Sequence, residues 1–124
     1  MDRITIQSKA IELGVQENVL LLLSVRLGKT KVALEISKHF GNKHLIVTSE
    51  ILICEGILGE IMKFEFNPDH YTIICYDSLH KYTDTEWDSI TIDECEHMSE
   101  LRLSYLQQIK AKRWIGLCAK VSKP

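Results

Sequence analysis

Metal-ligand spacing is missing from this chain. Its four cysteines, Cys54, Cys75, Cys95 and Cys118, lie about twenty residues apart, with no Cys-x-x-Cys and no clustered histidines. A zinc site built from such ligands is therefore not expected. Cys75 and Cys118 fall in apolar runs, where a free cysteine acts as a small hydrophobe, and reduced thiols in a cytoplasmic setting are the default. No stretch approaches the roughly 18 apolar residues that span a membrane, and Met1-Asp2-Arg3-Ile4-Thr5 lacks the apolar centre of a signal peptide. No membrane partner is expected. A dominant charge is lacking too: the net charge of −2 sets up no global field toward nucleic acid. Only a local cluster could do so, from Lys110, Lys112, Arg113, Lys120 and Lys123, which reads equally as a solvated basic end. Repeats, low-complexity tracts and interdomain linkers are absent, and 124 residues leave room for one domain with one core, residues 1–124.

What is present alternates. Residues 4–13, with Ile4, Ala10, Ile11 and Leu13, read as a short helix, and Val19-Leu20-Leu21-Leu22-Leu23 as a buried strand. A helix over 29–40 follows, ended by Gly41-Asn42 as a left-handed cap. Residues 44–48 form a second strand, and 50–64 a helix in which Gly56 and Gly59 each cost about 1 kcal/mol relative to alanine. Asn67-Pro68-Asp69 marks a turn, 71–75 a third strand, and 77–82 a single helical turn. Residues 89–92 make a fourth strand, 99–110 a helix with Ser99 as N-cap, and 114–118 a fifth strand. Short apolar runs alternating with helices predict an α/β domain whose parallel sheet is covered on both faces. Trp87 and Trp114 read as packing residues beside the last two strands.

Leu27-Gly28-Lys29-Thr30 stands between the first strand and the helix after it. That position suits a phosphate-binding loop: the amide groups at a helix N-terminus point at phosphate oxygens, and the macrodipole favours negative charge. Gly28 lets the backbone approach closely, Lys29 reaches β- and γ-phosphates, and Thr30 offers a hydroxyl to Mg²⁺. A metal held there needs an acidic residue from a neighbouring strand end. Ile90-Thr91-Ile92 runs into Asp93-Glu94-Cys95-Glu96, which places Asp93 to hold Mg²⁺ and Glu94 to polarise an attacking water. ATP with Mg²⁺ is the cofactor expected, and Lys29, Asp93 and Glu94 are the candidate catalytic groups.

These motifs resemble those of the first RecA-like domain of superfamily 2 helicases and translocases, of the DEAD/DEAH-like phage or Swi/Snf-like branch. Ser24-Val25-Arg26-Leu27-Gly28-Lys29-Thr30 resembles motif I, and Asp93-Glu94-Cys95-Glu96 resembles motif II. Leu45-Ile46-Val47-Thr48-Ser49 is similar to motif Ia, Tyr76-Asp77-Ser78-Leu79-His80-Lys81 to the segment before motif II, and Trp114-Ile115-Gly116-Leu117-Cys118-Ala119-Lys120 to motif III. The resemblance implies a three-layer P-loop NTPase fold with a central, mostly parallel sheet of about five strands. It further implies an ATP-binding loop of Arg26, Leu27, Gly28, Lys29 and Thr30, and an adenine contact from Gln7. Nucleic acid, DNA rather than RNA, would meet Thr48, Ser49, His80 and Lys81; for the last two, a solvated turn is the plainer reading.

The chain also departs from that pattern. Arg26 replaces a loop glycine, Glu96 stands where the box has histidine, and Lys120 removes the usual hydroxyl of motif III. The second RecA-like domain, with its arginine finger, is absent from these residues, and such an arginine supplies about 10³ to 10⁵ in rate. Weak or no hydrolysis is expected without that domain in cis or trans, and the face that would meet it invites self-association. The alternative is a non-catalytic module that keeps the fold and binds nucleic acid or a protein. A small P-loop kinase would need an arginine-rich lid and an acceptor pocket, and neither is legible.

Overall fold

A computed structural model describes residues 2–22, 28–93 and 99–118. The strands are β1 (Val19–Leu22), β2 (His44–Thr48), β3 (Tyr71–Cys75), β4 (Glu86–Asp93) and β5 (Lys110–Cys118); the helices are α1 (Arg3–Gln16), α2 (Lys29–Ser37), α3 (Ile51–Lys63) and α4 (Glu100–Gln108). All strand pairings are parallel, in the order β1-β5-β4-β2-β3. With helices on both sides, this is an α/β three-layer fold.

Strand alternation sorts the core into layers. Leu45 and Val47 of β2 join Ile90, Leu106 and Ile109 in a cluster with α4 and the 3₁₀ segment Tyr76–Tyr82. Ile46, one residue out of step, packs on the other face with Leu34, Ile57 and Ile61 of α2 and α3. On that same face Ile115 and Leu117 meet Val32, Ala33 and Ile36 of α2, with Ile6, Ala10 and Ile11 of α1 against them. Helix α3 holds despite Gly56 and Gly59 because Ile57 and Ile61 are buried. Burying each side chain is worth about 1.5–3 kcal/mol, against about 1 kcal/mol lost per glycine.

Several boundaries differ from those the sequence suggests. The first helix starts at Arg3, capped by the Asp2 carboxylate accepting from the Thr5 amide at 2.8 Å, and runs on to Gln16. The second ends as a 3₁₀ turn, Lys38–Phe40. Gly41 follows with φ 128° and ψ −150°, a positive φ but not the left-handed helical cap expected. Its role is steric: a Cβ there would lie 2.3 Å from Asp88 Oδ2. That carboxylate accepts from the amides of Asn42 at 3.0 Å and Lys43 at 3.1 Å, stitching the entry of β2 to β4. The expected helix over 99–110 stops at Gln108, with Ser99 as its N-cap, because Ile109 turns into the core with extended backbone. Lys110 is therefore a strand residue. Glu86 pairs with Lys110 and Trp87 with Ala111, so β4 and β5 both begin earlier than their apolar runs.

His44 is buried between β2 and β4, with Nε2 2.9 Å from the Gly41 carbonyl and Nδ1 2.7 Å from Ser89 Oγ. A carbonyl can only accept, so Nε2 donates, and the neutral ring takes the Ser89 hydroxyl proton at Nδ1. Burial pushes this imidazole below its ordinary value of 6.5, outweighing the Gly41 bond and the Asp88 charge that raise it. The unfolded chain takes up a proton near pH 6.5 that the folded ring resists. Stability is thus whole above pH 6.5 and declines as the pH falls below it toward the lowered folded value. Urea midpoints measured from pH 7.5 to 5 are expected to fall more steeply in wild type than in His44→Asn; parallel slopes would rule this ring out as the source.

The glycines give a second expectation. Gly41→Ala, strained at its φ and driven against Asp88, is expected to lose about 1–3 kcal/mol. Gly59→Ala, where an added Cβ meets nothing within 4 Å, is expected to gain about 0.5–1 kcal/mol. Urea denaturation of both variants checks the opposite signs.

Candidate active site at the carboxyl ends of the strands

Parallel strands end together, and the carboxyl ends of such a sheet are where an open α/β fold places its ligands. Here β4 delivers Asp93 as its last residue, while α2 begins at Lys29. Gly28, the residue that caps α2, has φ 68° and ψ 48°. This left-handed conformation suits glycine and turns the chain so that α2 starts against the strand ends.

The Lys29 ammonium donates to Asp93 Oδ1 at 2.9 Å, and the two side chains keep only 13% and 7% of their surface exposed. Sequence reading gave each residue a separate duty; the fold brings them into one ion pair. The Asp93 backbone is held as well, since the buried Tyr76 hydroxyl donates to its carbonyl. Tyr76 is in turn covered by the Arg102 guanidinium, 4.8 Å from the ring centroid, and Arg102 reaches Asp77 at 3.5 Å.

A cavity of about 310 Å³ opens at the pair, walled by Lys29, Thr30, Asp93 and, from α3, Ile53, Gly56, Ile57 and Glu60. Its size is near the lower end of ordinary small-ligand sites. The α3 wall was not foreseen. Its trace in the sequence is Gly56, where the missing side chain leaves open space at the cavity wall. Glu60 adds a second carboxylate to the wall, one helical turn further along.

The remaining predicted residues fall as follows. Arg26, Leu27 and Glu94 lie outside the described residues, as do Glu96 and Lys120. Gln7 sits half-buried on α1 and does not line the cavity. Thr48 is fully buried at the end of β2, its hydroxyl without a hydrogen-bond partner among the described residues, and Ser49 after it is half-buried. His80 and Lys81 are exposed on the 3₁₀ segment after β3. His80 borders a separate cavity of about 500 Å³ with Tyr76, Arg102 and Tyr105. Of the basic cluster, Arg113 is turned inward, donating to the Val15 carbonyl at 3.2 Å with its guanidinium 4.6 Å from the Phe40 ring.

A larger cavity, about 550 Å³, lies at the opposite end of the sheet between Lys43, Trp87, Asp88, Lys110 and Lys112. Three of its charged groups have partners within it. Lys112 pairs with Asp88 at 3.1 Å, and the Lys43 ammonium stands 5.2 Å from the Trp87 ring centroid. Burial acts to raise the Asp88 carboxyl, but hydrogen bonds from Lys112 and from the Lys43 and Asn42 amides prevail and hold it below the usual carboxylate range. That end of the sheet is a register clamp.

No protein-family model matches the chain, and no curated protein matches it significantly. No helix among the described residues is long and apolar enough to cross a membrane.

Removing one member of a nearly buried ion pair takes a close counter-charge from the other, whereas removing both does not. Lys29→Ala is therefore expected to lose about 2–4 kcal/mol, and Lys29→Ala with Asp93→Ala less than the sum of the two single losses. A double-mutant cycle by urea denaturation reads this coupling; single losses that simply add would mean the pair contributes nothing.

Proposed function

We propose that this chain is the ATP-binding half of a superfamily 2-type helicase or translocase, taking a nucleoside triphosphate with Mg²⁺ at the Lys29–Asp93 cavity. The observation that carries the reading is the ion pair itself, set at the strand ends beside a helix that starts from a left-handed glycine. The donor set fits the group. A metal-bound triphosphate presents a cation to Asp93 and anionic oxygens to Lys29, so each side chain exchanges its present partner for one of like sign. The α2 amides add donors to the phosphates, and Thr30 supplies a hydroxyl at the same wall of the cavity. When bound, the metal neutralises charge building on the transferred phosphoryl group.

The chain's own contribution is to bind and orient. Lys29 and the α2 amides hold phosphate oxygens, Thr30 and Asp93 hold the metal, and Tyr76 fixes the Asp93 backbone. Glu94, next along the chain, is the group proposed to polarise water. Hydrolysis by these residues alone is expected to be weak, because a transition-state arginine would come from a second RecA-like domain. Nucleic acid, DNA in preference to RNA, is the proposed polymer.

One observation favours the second reading, a non-catalytic interaction module. Helix α3 exposes Ile51 (72%), Leu52 (75%) and Met62 (63%), none of which lines the cavity. Apolar surface of that kind marks a place for a protein partner.

Titration with a fluorescent ATP analogue separates the two. Micromolar binding that weakens at least about ten-fold without Mg²⁺, and again in Thr30→Ala, is expected from the nucleotide reading. Thr30 is half-buried and lies outside the ion pair, so its variant spares the fold. Affinity indifferent to metal and to Thr30→Ala would overturn this reading and leave the interaction module.

A further inference from the structure

We propose that Cys54 and Cys75 form a reversible intrachain disulfide that locks helix α3 to the edge strand β3. Their Sγ atoms stand 3.7 Å apart, in mutual contact, although 21 positions separate them in the chain. Cys54 lies in the first turn of α3, and Cys75 is the last residue of β3. Both are free thiols and half-buried, so a small reagent reaches them, while Cys118 is buried. A disulfide needs its sulfurs about 2 Å apart, so each side chain would shift by somewhat under about 1 Å. Rotation about χ1 supplies such a movement.

The mechanical setting gives the bond a consequence. Among the described residues, strand β3 is hydrogen-bonded on one side only, to β2. Helix α3 reaches it through Ile53, Ile57 and Ile61, packed near Tyr71 and Ile73. A covalent link at Cys54 and Cys75 would close the segment between them into a loop and tie down both the sheet edge and the helix that walls the cavity. The proposal stands whether or not that cavity takes a nucleotide.

The oxidant is a low-molecular-weight disulfide. One cysteine thiolate attacks a sulfur of the reagent, breaking its S–S bond, forming a mixed disulfide and expelling one small thiolate. The second cysteine thiolate then attacks the protein sulfur of the mixed disulfide, forming the Cys54–Cys75 bond and expelling the other small thiolate. The two protein thiols lose two electrons to the reagent, and their two protons end on the two small thiols. Burial, then the neighbouring Cys75, pushes the Cys54 thiol up to about 11, so closure quickens as the pH rises.

The full chain is incubated with glutathione disulfide, capped with N-ethylmaleimide, and analysed by intact mass, peptide mapping and thermal melting. The expected result is a monomer two hydrogens short apart from any maleimide on the other cysteines, with none on Cys54 or Cys75, one peptide pair joining Cys54 to Cys75, and a rise in Tm on the order of 10 °C reversed by dithiothreitol. Cys75→Ser and Cys54→Ser should each stop at a lasting glutathione adduct on the remaining cysteine, with no such rise. Adducts persisting on Cys54 or Cys75 in wild type, pairing with Cys95 or Cys118, or crosslinked dimers would overturn the proposal.

Discussion

An all-parallel sheet obliges the chain to cross from the carboxyl end of each strand back to the amino end of the next, and most of this molecule follows from that obligation. Crossovers need length and an apolar face, so helices cover the sheet, and every strand points its last residue toward the same end. The order β1-β5-β4-β2-β3 puts β4 between β5 and β2, hydrogen-bonded on both sides. Its terminal residue, Asp93, is thus carried by the middle of the sheet. Lys29 meets it because α2 leaves the same end of the sheet that β4 reaches.

The Lys29–Asp93 pair balances two opposing costs. Both groups are nearly out of water, and neither could be held there alone without losing much of its hydration. Paired, they form a compact dipole at the wall of the cavity. A cavity filled with apolar side chains would be at least as stable. The pair is therefore weak evidence for stability and is the observation on which the proposed ligand site rests. Tyr76 and Arg102 belong to the same arrangement, holding the end of β4 from the face opposite α2 and α3.

Much of the fold was legible from apolar runs. The centres of β1, β2 and β3 read correctly because each is a short run of aliphatic residues between turn signals, and Ser99 could be read as a cap from its place before α4. The amino-terminal halves of β4 and β5 were not legible. Glu86, Asp88, Lys110 and Lys112 carry no apolar signal, and they are strand residues because they pair with each other across the sheet. Gly41 announced a chain reversal, but only the position of Asp88 explains its conformation. Gly28, Lys29 and Thr30 could be singled out as a unit because a loop motif is local in sequence. The α3 wall of the cavity and the contact between Cys54 and Cys75 could not, since each joins residues far apart in the chain.

Local patterning by itself determined the class of fold, the alternation of strand and helix, and the position of the Gly28-Lys29-Thr30 segment at the start of a helix. These depend on hydrophobic period and on backbone preferences that act within a few residues. Tertiary structure alone decided that Lys29 and Asp93, 64 positions apart, share one ion pair, that Gly56 and Glu60 face them, and that Tyr76 holds the strand end. Strand order sets which residues become neighbours, and strand order comes from burying every apolar face at once, a condition no local window contains.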